Sequence, residues 1–370
     1  PYTTLFRSNT GIRSRWDPTL TSTRGSQIIT DYIRQCMVWT GNSTIDYAVL
    51  THFHNDHFGG YTSSLPKSAN SNTYSLIGFA EIFDNFKIGT LLDRGYPDYN
   101  YPFDMATMAD NAPSCNNYIN AVKWHVANQK FDAAIFKAGA NNQIVQKYNP
   151  AKYPTAKVQN VAVNGEIWTG SGTTTKKTFP ELSEITYENS KNITSSDNCP
   201  PENITSCVMK VSYGNFDFFA GGDLQYNGRS SHAWKDAELP CAKAVGQVEL
   251  LKANHHGVTN TNQVDALKAL NPQTIVVNSW VDCHPRTDIL NSMETTLPAC
   301  DMFITNFWQG DRPSGVDDRV TAEEAARVKG YDGHIVVRVT DGGNKYRVVT
   351  ITDSDGAMTV KTISGPYTSR

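Results

Sequence analysis

Tyr47-Ala48-Val49-Leu50-Thr51-His52-Phe53-His54-Asn55-Asp56-His57-Phe58-Gly59-Gly60 is the stretch on which the reading of this chain turns. The apolar run from Tyr47 to Leu50 predicts a short buried strand, and the Gly59-Gly60 pair closes the loop after it. The histidines therefore sit at the C-terminal end of a strand. Three imidazoles and one carboxylate within six residues are too many costly polar groups for an ordinary strand end unless something binds them. A divalent ion does that best: zinc takes imidazole nitrogen and carboxylate oxygen, and manganese or iron can occupy similar sites. Residues two apart in an extended loop point the same way, so His52 and His54 can grip one ion while Asp56 and His57 turn toward a second.

Upstream, Ile28, Ile29, Tyr32, Ile33 and Cys36 recur at helical spacing and predict an amphipathic helix over 26–37. Downstream, from about Thr62 to Pro200, the apolar pattern loosens into aromatic and Pro-rich pieces with a helix near 117–129, and this reads as an insertion. Cys207 to Ser212 and Phe216 to Ala220 then predict a hairpin around Gly214-Asn215 that delivers Asp223 in Gly221-Gly222-Asp223. Val264, Leu267 and Leu270 mark a helix and 274–278 a buried strand. Thr321 with Glu324 matches a capping box, with Gly330 as the left-handed end of that helix. His334–Thr340, Lys345–Thr352 and Met358–Ile363 read as a C-terminal β-meander, turning at Asp341-Gly342-Gly343-Asn344.

The 370 residues, 39% apolar, can bury a large core. With 33 basic against 36 acidic residues and a formal charge of -3, no positive field announces nucleic acid or an anionic membrane. No apolar run spans a bilayer, and the mean hydropathy is -0.44. Seven cysteines without a CxxC pair are too sparse for a disulfide scaffold or a structural zinc site; most read as buried thiols, and Cys199–Cys207 is the one bridge left open. Sequons at Asn42, Asn192 and Asn203 raise secretion, but the opening carries neither an initiator Met nor a signal peptide, so the compartment stays open between cytoplasm and exterior.

The run His52-Phe53-His54-Asn55-Asp56-His57 resembles, residue for residue, the HxHxDH motif of the metallo-β-lactamase superfamily. Asp223 falls where that family supplies a bridging carboxylate, and Leu250-Leu251-Lys252-Ala253-Asn254-His255-His256-Gly257 has the form of its last histidine, through either His255 or His256. The His-His-Gly, with Tyr213-Gly214 and Asn278 through His284-Pro285, is similar to the nuclease-like branch of bacterial competence (DNA-uptake) proteins. The resemblance covers most of 47–286. It implies an α/β fold, a four-layer αββα sandwich of two mixed sheets with helices outside, as one domain over 1–370. The family's first β-hairpin is not found before Ser26, which predicts a truncated start. A further family histidine has its place taken by Glu202-Asn203, so the first metal site lacks that ligand; His125 and His232 are the spare candidates, each with a structural role as the simpler reading. If Asn203 lies in this pocket, its sequon cannot be glycosylated.

The resemblance implies a hydrolase with two divalent ions, zinc first, about 3.5–4 Å apart and sharing a hydroxide that attacks carbon or phosphorus. The ligands would be His52, His54, Asp56, His57, Asp223 and His255 or His256. Asp56 would orient the hydroxide, the spare histidine (His255 or His256) would steady developing charge, and His284 would protonate the leaving group or close the turn before Pro285. The branch points to a phosphodiester, and the charge balance favours a small molecule over long nucleic acid. Esters, lactones and β-lactams use the same chemistry. A non-catalytic metal-binding interaction module is the alternative of another class. Tyr96, Tyr99 and Tyr101 could wall a pocket but read first as packing, and Asp341-Gly342-Gly343 lacks the strand-to-helix setting of a phosphate loop.

Overall fold

The computed structural model describes residues 25–226, 232–279, 281, 283–309, 320–352 and 358–370. The expected truncated start falls on residues 1–24 and lies outside them. The chain divides into two units, Tyr2–Phe136 with Phe179–Cys207, and Lys137–Thr178 with Val208–Arg370.

The first unit runs α1 (Gly25–Thr40), β1 (Thr44–Val49), α2 (Asn55–Phe58), α3 (Phe79–Asn85), β2 (Lys87–Asp93), α4 (Ala112–Ala127) and β3 (Asp132–Ile135). The helix read over 26–37 is α1, which buries Ile29, Tyr32 and Ile33 as its spacing requires. The strands form a sheet in the order β1-β2-β3, parallel throughout, with Thr44 beside Lys87 and Thr90 beside Asp132. Among the described residues this sheet is parallel where a mixed one was expected, because each return to it passes through a helix-bearing crossover, with α3 before β2 and α4 before β3. Its core gathers Leu50, Phe53, Phe58, Leu91, Tyr99, Tyr118 and Phe131.

The second unit continues β4 (Lys157–Val163), β5 (Glu166–Trp168), β6 (Thr175–Lys177), β7 (Val208–Tyr213), β8 (Phe216–Ala220), α5 (Glu238–Val245), β9 (Leu250–Lys252), α6 (Val264–Leu270), β10 (Thr274–Val277), α7 (Thr287–Thr296), β11 (Asp301–Ile304), α8 (Ala322–Arg327), β12 (Val328–Tyr331), β13 (His334–Thr340), β14 (Lys345–Ile351) and β15 (Val360–Thr368). Nine strands make one mixed sheet in the order β12-β11-β10-β9-β8-β7-β4-β5-β6. Strands β8 to β12 are parallel, and α5 to α8 lie in turn in the connections between them. In such sheets ligand-binding groups collect in the loops beyond the strands' C-terminal ends. The meander is present as an antiparallel β13-β14-β15 sheet. The stretch 62–200, loose in its apolar pattern, supplies regular elements from α3 to β6.

Gly330 departs from its expected role. The capping box at Thr321 and Glu324 forms, but α8 ends at Arg327 and Gly330 lies in β12 beside Phe303. A Cβ there would stand 2.2 Å from Thr350 Oγ1 and 2.8 Å from Thr362 Oγ1, so close packing rather than a left-handed turn calls for glycine. Cys199 and Cys207 are buried thiols and are not joined to each other in a disulfide.

Candidate metal centre

In the first unit, Leu50 leaves β1 with its N–H donating to Leu92, and the chain enters the motif loop. His52 is fully buried, with its Nδ1 3.1 Å from the Thr51 hydroxyl. Its Nε2 lies 3.2 Å from His54 Nδ1. Two imidazole nitrogens on one tetrahedral zinc, each bound at about 2.0–2.1 Å, stand about 3.3–3.4 Å apart, so this pair is spaced as joint ligands are. His57 packs on His52 with ring centroids 4.1 Å apart, and its Nε2 is 3.3 Å from Asp56 Oδ2. All four motif residues are thus brought together.

The loop is held from beneath. Phe53, between the two histidines, is buried with its ring 4.7 Å below the Arg94 guanidinium. Its N–H donates to Glu202 Oε1 at 2.6 Å, and its carbonyl accepts from Asn111 Nδ2 at 2.7 Å. Arg94 pairs with Glu202 through Nε at 2.8 Å and through Nη2. Burial pushes the Glu202 carboxyl up, yet the Arg94 guanidinium, with smaller contributions from His54 and the Phe53 amide, outweighs it and leaves the group below the ordinary glutamate range.

In the second unit, Asp223 follows β8 and is 1% exposed. Past β9 the backbone of His255 and His256 turns left-handed, at φ 42° and 57°, a conformation that costs non-glycine residues about 1–3 kcal/mol and is kept only where the surroundings enforce it. The turn settles which of the two histidines faces inward. His256 is buried with Nε2 3.0 Å from Asp223 Oδ2, whereas His255 is part exposed with Nε2 4.0 Å from the same oxygen. His256 Nδ1 lies 2.6 Å from the Asn278 carbonyl, which can only accept, so Nδ1 carries the proton. In the neutral imidazole the remaining nitrogen then faces a carboxylate oxygen, two acceptors that either a shared proton or a metal ion satisfies. Lys252 Nζ donates to the Gly222 and Ala253 carbonyls and lies 3.4 Å from Asp223 Oδ1. Glu238 accepts from Asn254 Nδ2 and from the Asn262 and Gln263 amides, tying the loop down; burial pushes its carboxyl up to about 7 despite those donors. His284 stacks on His256 at 5.4 Å.

Asp56 and His57 of the first unit and Asp223 and His256 of the second are, among the described residues, Asp and His donors suited to hold a metal ion. The spare candidates read as structural. His125 is buried against Phe131 with Nε2 3.3 Å from Asp84, and His232 packs beside Trp234. Tyr99 is buried and donates to Asp93 Oδ2 at 3.0 Å, in keeping with packing. Gly343 meets the hairpin turn, where a Cβ would stand 1.8 Å from the Tyr213 carbonyl.

Sequence reasoning missed Arg94, Asn111, Lys252 and Glu238. Two carried a signal: Lys252 is a charge inside an apolar strand, and Asp93-Arg94 sits directly after one, positions that demand a partner. No protein-family model matches the chain, and no curated protein matches it. Among the described residues no helix is long and apolar enough to cross a membrane.

Proposed function

We propose that the chain is a metal-dependent hydrolase of the metallo-β-lactamase type, on a four-layer αββα sandwich. Its ligands are His52, His54, Asp56, His57, Asp223 and His256, holding two divalent ions, zinc first. The observation that supports this best is the close spacing of potential ligand atoms: His52 Nε2 with His54 Nδ1 at 3.2 Å, and His256 Nε2 with Asp223 Oδ2 at 3.0 Å. When bound, such ions act as Lewis acids and bring the pKa of water near neutrality.

The chain's own groups do the rest. Asn278 fixes the tautomer of His256, and Lys252 orients Asp223. His255, part exposed beside Asp223, steadies negative charge developing on the substrate, and His284 gives its proton to the leaving group. A small phosphodiester is the preferred substrate, since 33 basic against 36 acidic residues give the chain no basic bias of the kind that favours long nucleic acid.

Metal content by mass spectrometry, with hydrolysis of bis(p-nitrophenyl) phosphate before and after chelation, tests the reading. About two ions per chain with chelator-sensitive turnover is the expected result. Two ions with turnover only on carboxylic esters or lactones would replace the substrate class. No stoichiometric metal after incubation with zinc, manganese or iron would overturn the proposal.

A further inference from the structure

We infer that Arg94 and Glu202 are positioning residues that set the geometry of the His52–His54 pair by clamping the peptide between them; the inference rests on the metal-centre reading above. Phe53 joins the two histidines. Its N–H belongs to the peptide from His52 and donates to Glu202, while its carbonyl belongs to the peptide to His54 and accepts from Asn111. Both peptides therefore have a fixed orientation, and the two imidazoles are carried on them.

Arg94 is itself placed by the sheet. β2 runs beside β1 with Leu92 opposite Val49, so the residue two beyond Leu92 emerges alongside the motif loop. There Arg94 is 1% exposed, covers the Phe53 ring, donates to the Tyr101 carbonyl at 2.9 Å and grips both oxygens of Glu202. A buried ion pair is a poor source of stability, because desolvating two charges offsets most of their attraction. It does supply a charged acceptor aimed at one amide, with a planar fork that fixes its direction. Glu202-Asn203 stands where the resembled family places a metal-binding histidine. With both oxygens engaged Glu202 acts here through the loop instead of as a ligand.

Removing one partner alone would strand a buried charge and endanger folding, so the test uses two double variants. Arg94→Met with Glu202→Met removes both charges and the acceptor for the Phe53 amide. Arg94→Met with Glu202→Gln removes both charges but keeps a carbonyl for that amide. Zinc affinity is read by competition with a chromogenic chelator, ligand geometry from the cobalt(II) absorption spectrum, and folding from near-ultraviolet circular dichroism of the metal-free chain.

The expected result is a loss of about 10–100-fold in zinc affinity with an altered cobalt spectrum in the first variant, largely restored in the second. If the first variant fails to fold, Arg94→Gln with Glu202→Leu takes its place, since it keeps a polar side chain near the Tyr101 carbonyl and still removes the acceptor for the Phe53 amide, with the same loss expected. A folded variant without that acceptor that binds zinc as tightly as the original chain, with the same spectrum, overturns the positioning role and leaves the metal centre standing. An original chain that binds no zinc overturns the metal-centre reading and this inference with it.

Discussion

Glu238→Gln should change stability by an amount that depends on pH. The carboxylate is 1% exposed; Oε1 accepts from Asn254 Nδ2 at 2.7 Å and the Asn262 amide at 2.6 Å, and Oε2 accepts from the Gln263 amide at 2.9 Å. Burial raises its pKa from the ordinary 4.5 to about 7, so the folded chain holds this proton more tightly than the unfolded one. Stability from this group is full below about pH 4.5 and falls as the pH rises to about 7, by about 3 kcal/mol in all.

The glutamine variant has no such slope. Its carbonyl keeps the Asn254 and Asn262 donors, but its amide nitrogen faces the Gln263 N–H and cannot accept, whereas a protonated carboxyl oxygen still can. At pH 5 the variant should be less stable than the original chain by about 1–3 kcal/mol. At pH 8 the deficit should vanish or reverse. Urea unfolding of both chains with chelator present, at the two pH values, measures the difference. An equal deficit at pH 5 and pH 8 would refute the argument that burial dominates the donors around Glu238.

Exchanging each member of the histidine pair separates their roles: His256→Ala should lose at least one bound ion per chain, while His255→Ala keeps the full complement and loses turnover, with metal content and hydrolysis rate as the readouts. Gly330→Val should lower stability by about 1–3 kcal/mol, because its Cβ would sit 2.2 Å from Thr350 Oγ1; a midpoint of thermal unfolding unchanged from the original chain would count against the packing argument. When the chain is passed through a eukaryotic secretory pathway, peptide mass mapping should find glycan at exposed Asn192 and none at buried Asn203.

Much of the fold was legible because the signals were local. The periodicities of α1, α6 and the meander, and the turn at Gly214-Asn215, depend on neighbours a few residues away, and these elements formed, though Val264 of α6 is exposed and the last meander strand, read as Met358–Ile363, runs Val360–Thr368. Gly330 was misread because a glycine after a capping box is locally as good a helix end as it is a strand residue. The crowding from Thr350 and Thr362 that decides between them comes from the meander.

The sequence by itself determined the donors: which imidazoles and carboxylates stand at strand ends, and so which chemistry they can support. Only the tertiary structure decided how they are aimed. His255 and His256 are equal as letters, and the left-handed turn between Asp223 and the Asn278 carbonyl makes them unequal. Glu202 and Arg94 lie 108 residues apart, and neither reveals the other until β2 aligns with β1. Donor identity is a property of single residues, whereas a tautomer, a fixed peptide or a clash is set by groups that meet only when distant segments fold together.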